Sequence, residues 1–184
     1  MAQRPHAARK PARSNPRGVE VIWLDDDGLI PNNASLPLIV YQGALGTADA
    51  EAEQRIEALF AANGWSGAWV NGIYPFHHYH ATTHEVLGLA RGSAQVQFGG
   101  PSGPVLEVAA GDAVLIPAGV GHCRLSPAAG LSVVGAYPGG ADWDLRRATP
   151  EEYRAALPLI ATVASPACDP VLGPDGPACQ PHVR

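Results

Sequence analysis

From residue 67 to 138, apolar residues alternate with polar or small ones in short runs, each closed by glycine or proline. "GAWVNGIYPFHHYH", "EVLGLARG", "SAQVQF", "VLEVAAGDAVLIPAG", "HCRLS" and "LSVVGAYP" follow one another, with "GGPSGP" as a turn-rich break. A period of two sends successive side chains to opposite faces, so the pattern predicts many short strands in an antiparallel sandwich or barrel. Upstream, "VEVIWL" and "LPLIVY" read as two further extended segments. They are joined by "DDDGLIPNN", whose three aspartates beside Gly28 read as a solvated turn rather than a cation site.

The period changes twice. Between Thr47 and Asn63, Ile56, Leu59 and Phe60 have helical spacing, and Gly64 stands where a helix should stop. "TPEEY" announces a second helix, with Thr149 as cap, Pro150 at the first helical position and Glu152 completing a capping box. Pro158 predicts its end near Leu157. The expected fold class is therefore all-β with one or two peripheral helices.

At 184 residues the chain is long enough for one domain with a real core, and 21 Gly with 18 Pro suit a body of many turns. Residues 1–18 lack hydrophobic periodicity and carry Arg4, Arg9, Lys10, Arg13 and Arg17 without an acid, which predicts a disordered basic tail. A single domain is expected over 19–163, with its core barrel at about 67–138 and a Pro-rich C-terminal tail over 164–184. Without the basic tail the chain has 7 basic and 17 acidic residues. Such a body repels phosphate backbones, so no nucleic-acid partner is expected. No apolar run approaches a membrane span, which leaves a cytoplasmic protein as the expectation. Three cysteines, Cys123, Cys168 and Cys179, do not form a secreted disulfide framework and are expected as free thiols.

The chemistry concentrates in "HHYHATTHE", residues 77–85. In a strand His78 and His80 share a face while His77 and Tyr79 take the other, so two imidazoles converge. The same parity carried backward puts Tyr74 and Phe76 on the ligand face as candidate cavity wall. A divalent transition metal held by imidazoles needs further donors, which a carboxylate can supply. The intervening "ATTH" is long enough to turn the chain, so parity does not decide between His84 and Glu85. His77 is expected as a surface or packing histidine, and Cys123 as a buried core residue.

Two spacings then become specific. Gly72, His78, His80, Glu85 and Gly92 match G-x5-H-x-H-x4-E-x6-G, and Gly111, Pro117, Gly119 and His122 match G-x5-P-x-G-x2-H. In both, the chain resembles the cupin superfamily. "LDDDGLIPNNASLPL", "HYHATTHEVLGLARGSAQVQFGG", "GDAVLIPAGVGHC" and "VVGAYPGGADWD" resemble more narrowly the YjlB-like bacterial cupins, over about residues 19–147. The last position of the second motif, usually Asn, is Ser126 here, a departure that leaves the ligand positions intact.

The resemblance implies a small double-stranded β-helix, the cupin jelly roll, with His78, His80, Glu85 and His122 as ligands of one divalent transition metal: Fe(II), Mn, Ni, Zn or Cu. It also implies a homodimer. Arg124 shares a strand face with His122 and is a candidate clamp for a substrate carboxylate, beside Phe76 as a wall residue. His84 is a candidate to orient Glu85 or bound water, or to replace it as ligand. Trp143 stands either at the mouth or on the outside of a sheet. The first functional expectation is an oxygen-using, dioxygenase-type oxidoreductase acting on a small organic molecule. The alternatives are a metal-dependent isomerase, epimerase or lyase, with His84 or Tyr74 moving the proton, and a non-catalytic cupin that binds a small ligand or metal.

Overall fold

The structure, a computed structural model, describes residues 18–46 and 48–180. The predicted tail over 1–18 therefore lies outside the described residues except for Gly18, and so does Thr47. Among the described residues, eleven strands form two sheets with antiparallel pairing throughout. The larger sheet contains β1 (Val19–Ile22), β2 (Leu38–Tyr41), β8 (Ala113–Ile116), β5 (Glu85–Arg91), β10 (Ser132–Pro138) and β3 (Trp65–Asn71), in that spatial order. The smaller runs β11 (Arg146–Arg147), β4 (His78–Tyr79), β9 (His122–Arg124), β6 (Ser93–Phe98) and β7 (Val105–Ala109). This is the expected jelly roll. Among the described residues, no helix is long and apolar enough to cross a membrane.

The alternation read from the sequence divides the core in two. Leu38, Val40, Leu87, Leu89, Val96, Phe98, Val114 and Val133 fill the space between the sheets. Their neighbours of opposite parity, Ile39, Tyr41, Val86, Ala90, Leu115 and Val134, form a second cluster on the outer face of the larger sheet. There they meet α1 (Ala52–Ala62) through Ile56 and Phe60. The larger sheet is thus buried on both faces, so β2, β5 and β8 read as nearly continuous apolar runs.

Three boundaries depart from the sequence reading. Helix α1 begins at Ala52 rather than Thr47, after Asp49 has bonded the Glu51 amide and the Arg55 guanidinium. Helix α2 (Pro150–Ile160) runs through Pro158 instead of ending near Leu157. Proline removes one helical hydrogen bond there, but Leu159 and Ile160 continue the turn because they pack against Ile30, Tyr79 and Ala156. The Thr149 cap forms, its hydroxyl accepting from the Glu152 amide at 3.3 Å, while the Glu152 carboxylate accepts from the Arg147 amide instead of returning to Thr149.

The third concerns 164–184, which the sequence sets apart as a tail. Its described part, through residue 180, belongs to the domain: Val171 and Ala178 enter the outer cluster, and Asp169 is fully buried. The Asp169 carboxylate accepts from the Tyr41 hydroxyl at 2.6 Å and from the amides of Val171, Leu172 and Ala178. The segment has little regular structure, a β-bridge between Asp169 and Gly173 and a 3-10 turn over Pro177–Cys179, and the Asp169 carboxylate satisfies further backbone amides.

Candidate metal centre

Strand β4 is two residues long, yet it sets the geometry of the site. His78 pairs with His122 of β9 as a cross-strand neighbour, and their ring centroids lie 4.0 Å apart. His80 follows just past the strand end and keeps the parity, its ring 5.8 Å from that of His78 and 6.0 Å from that of His122. Tyr79 points the other way, into the apolar cluster beneath α2. The turn of the second motif holds His80 in place. The Gly119 amide donates to the His80 carbonyl at 2.7 Å, and the Asn32 amide donates to the Gly119 carbonyl at 3.0 Å. Gly119 has φ +88°, and a Cβ there would stand 2.5 Å from the Asn32 carbonyl oxygen, so the position requires glycine.

Each of the three imidazoles turns Nδ1 toward a backbone carbonyl: His78 to Phe76 at 3.0 Å, His80 to Asp144, and His122, more loosely, to Val120 at 3.4 Å. A carbonyl can only accept, so Nδ1 carries the proton and Nε2 presents a lone pair. One ligating atom from each of His78, His80 and His122 lies within 4.8 Å of the others, and all three residues are buried.

Glu85 opens β5 and shares its inward face with Leu87 and Leu89, whereas Val86 faces outward. Its Oε2 is 3.4 Å from His80 Nε2 and 3.5 Å from His122 Nε2, and is buried without a hydrogen bond. A buried carboxylate oxygen with no donor, beside converging nitrogen lone pairs, fits a divalent transition metal. The protonation pattern suits the same occupant. Burial pushes His78 and His122 below the ordinary histidine pKa, and the neighbouring imidazoles push His122 further down. Burial is the largest single influence on His80 and lowers it, but the charge and close approach of Glu85, together with the Asp144 carbonyl and carboxylate, raise the net value. A cation would compete with that one proton.

The site forms the floor of a cavity of about 320 Å³. Trp69, Ile73, Tyr74, Leu87, Tyr137 and Trp143 supply most of its apolar wall, and among the described residues no Lys or Arg lines it. Trp143 stands at the mouth, 46% exposed, edge-on to His80 at 5.5 Å and stacked on Tyr137 at 6.1 Å. The alternative position outside a sheet is therefore not the one it takes.

Other expectations are redirected. Tyr74 and Phe76 lie in a loop rather than on an extension of β4, because Pro75 has no amide to give a ladder. Their rings still stack at 4.9 Å and meet His78 edge-on, but Tyr74 lines the cavity whereas Phe76 does not, its face being covered by the Arg147 guanidinium at 3.9 Å. The Arg124 guanidinium is outside the cavity lining as well. It donates to the carbonyls of Ile73 and Ser126, which ties down the loop before β4 and leaves no substrate clamp.

His84 is corrected most plainly. It accepts the Ala118 amide on Nδ1 at 2.9 Å, so Nε2 carries the proton donated to the Ala164 carbonyl at 3.0 Å. With both nitrogens engaged by backbone, it neither ligates nor moves a proton in the cavity. His77 is half-buried and outside the lining, and Cys123 is buried.

Tyr137 and Trp69 belong to the site although the motifs do not contain them. Alternation marks Tyr137: Val133, Gly135 and Tyr137 share a parity, and Val133 is in the inner core while Val134 and Ala136 are in the outer one.

No family model matches the chain. Among solved structures, acireductone dioxygenase from Bacillus anthracis, with a cadmium ion in its active centre, is 16% identical, with 66% of this chain and 79% of that one covered and a TM-score of 0.37. Procruciferin, an 11S globulin from Brassica napus, is 15% identical, with a TM-score of 0.38; the match covers 67% of this chain but only 30% of the globulin. The uncharacterized protein YjlB of Bacillus subtilis (strain 168) is 42% identical over 168 residues, which is 91% of this chain and 99% of YjlB. With both cupin motifs meeting at one buried centre of a jelly roll, and with that identity over nearly the whole length, the chain belongs to the YjlB-like family of cupins.

Proposed function

We propose that the protein is a mononuclear metal enzyme acting on a small, uncharged, partly aromatic molecule, and that it works as an oxygen-using, dioxygenase-type oxidoreductase. The observation that carries this reading is the floor of the cavity, where three imidazole nitrogens and the unpartnered Glu85 oxygen meet beneath an aromatic wall. Fe(II) suits these donors, as do Mn, Ni, Zn and Cu, and a redox-active metal bound there supplies the one-electron chemistry that lets an organic molecule react with oxygen. The chain's own residues do the rest. Trp143 and Tyr74 offer flat faces to a ring and shed water from the mouth, and the apolar wall favours a neutral substrate.

The second reading, a non-redox isomerase, epimerase or lyase, rests on Tyr74, the remaining lining group able to move a proton once His84 is engaged elsewhere. Tyr137 is engaged elsewhere, its hydroxyl donating to Glu85 Oε1 at 3.0 Å and accepting from Trp69 Nε1 at 2.8 Å.

The test is anaerobic loading with Fe(II), elemental analysis, and oxygen-electrode measurements with a panel of small neutral phenols, diketones and enediols. Stoichiometric metal is expected, with oxygen uptake that needs both iron and one compound class and is lost in His122→Ala. Equal turnover by the Zn-loaded protein without oxygen sinks the oxidoreductase reading, and absence of stoichiometric metal sinks the metal centre.

A further inference from the structure

The cavity wall contains a hydrogen-bonded chain that ends on the carboxylate of the centre. Trp69 Nε1–H donates to the Tyr137 hydroxyl at 2.8 Å, and that hydroxyl donates to Glu85 Oε1 at 3.0 Å. Trp69 and Gly135 are cross-strand partners in β3 and β10, and the indole lies against the glycine so closely that a Cβ there would stand 2.1 Å from the ring. The register between these strands shifts between Gly135 and Tyr137. The extra residue lies in β3, where Trp69 to Ser66 spans three steps against two in β10, so β10 keeps its alternation and turns the phenol inward to Glu85. Trp143 stacks on the tyrosine ring. The phenol is therefore fixed from three directions, by Trp69, Glu85 and Trp143.

The two oxygens of Glu85 are thereby unequal. Oε1 is capped by a donor, while Oε2 faces His80 and His122 and has no hydrogen bond. We infer that Tyr137 is a positioning residue that restricts Glu85 to one-oxygen ligation through Oε2, and so keeps a ligand position at the metal free for an exogenous molecule. The inference rests on the metal centre proposed above. A carboxylate can bind through one oxygen or chelate through both, and the choice changes how many positions remain for small ligands. Groups that hydrogen-bond a ligand's far side set this choice without touching the metal.

Full-length wild type, Tyr137→Phe and Trp69→Phe, each loaded with Co(II) under anaerobic conditions, provide the test, read by d–d absorption and by azide titration. Wild type should take up one Co(II) and bind azide. Tyr137→Phe should keep the metal, lose d–d intensity as Glu85 chelates through both oxygens, and bind azide more weakly by about tenfold or more. Trp69→Phe keeps the phenol but frees it, and should shift both readouts the same way by less. A Tyr137→Phe protein with the wild-type cobalt spectrum and azide affinity overturns the inference while leaving the metal centre standing. A wild type that takes up no Co(II) overturns the centre itself. If Tyr137→Phe does not fold, Trp69→Phe decides: a weaker band and weaker azide binding support the inference, and no change overturns it.

Discussion

His84 and Glu85 are adjacent in the chain, but Glu85 opens β5 while His84 lies in the turn before it, and their side chains part. Glu85 looks inward with Leu87 and Leu89, while His84 bridges the Ala118 amide and the Ala164 carbonyl. The two predict different phenotypes. His84→Ala leaves the buried Ala118 amide without an acceptor, a cost of about 1–3 kcal/mol. It should therefore lower the denaturation midpoint and leave metal stoichiometry unchanged, as elemental analysis of the variant will show. The i, i+2 pair His78 and His80 was legible in the sequence because parity survives across three residues. Glu85 was not separable from His84, because the turn over 81–84 erases parity and the choice is made by which face of β5 meets the inner core. Arg124 misled for a related reason: its Cα has the expected parity, but a long side chain at a strand end folds back to the nearest free carbonyls, those of Ile73 and Ser126. Tyr137 had the right parity but no motif to draw notice to it.

Strands were easier to read than their ends. The alternation in "EVLGLARG", "SAQVQF" and "LSVVGAYP" survives as β5, β6 and β10, because each run must fill the inner core with every second residue. What the pattern lacked was any sign that 164–180 packs on the outer sheet, since hydrogen bonds to one carboxylate have no periodicity. Asp169 is the anchor of that segment. In Asp169→Asn the amide nitrogen replaces either Oδ2, which faces the Tyr41 hydroxyl and the Ala178 amide, or Oδ1, which faces the amides of Val171 and Leu172, so it meets donors in both orientations. The loss should be about 2–4 kcal/mol. Urea denaturation measures it, and protease sensitivity should rise between residues 164 and 180.

For the molecule as a whole, the buried histidines make stability depend on pH. His78, His84 and His122 have folded pKa values below the ordinary 6.5, chiefly through burial. Their contribution is complete above that value and is lost as pH falls below it, because the unfolded chain binds protons that the folded one refuses. His80 has the opposite sign: its raised pKa stabilises in acid, and that contribution fades as pH rises through the folded value. The half-buried His77 has the same sign as His78, His84 and His122, so with four against one the metal-free protein should lose stability from pH 7.5 to 5.5, at up to about 1.4 kcal/mol per pH unit for each net proton. Denaturation at a series of pH values checks this, and a flat profile would contradict it. The contact between Tyr41 and Asp169 also bears on how the chain is made. The two are 128 residues apart. At roughly 5–20 residues per second of synthesis, β2 leaves the ribosome about 6–25 s before its last partner exists. The outer face of the larger sheet must wait that long with a bare tyrosine hydroxyl, so docking of the 164–180 segment is a late event in the life of the nascent chain.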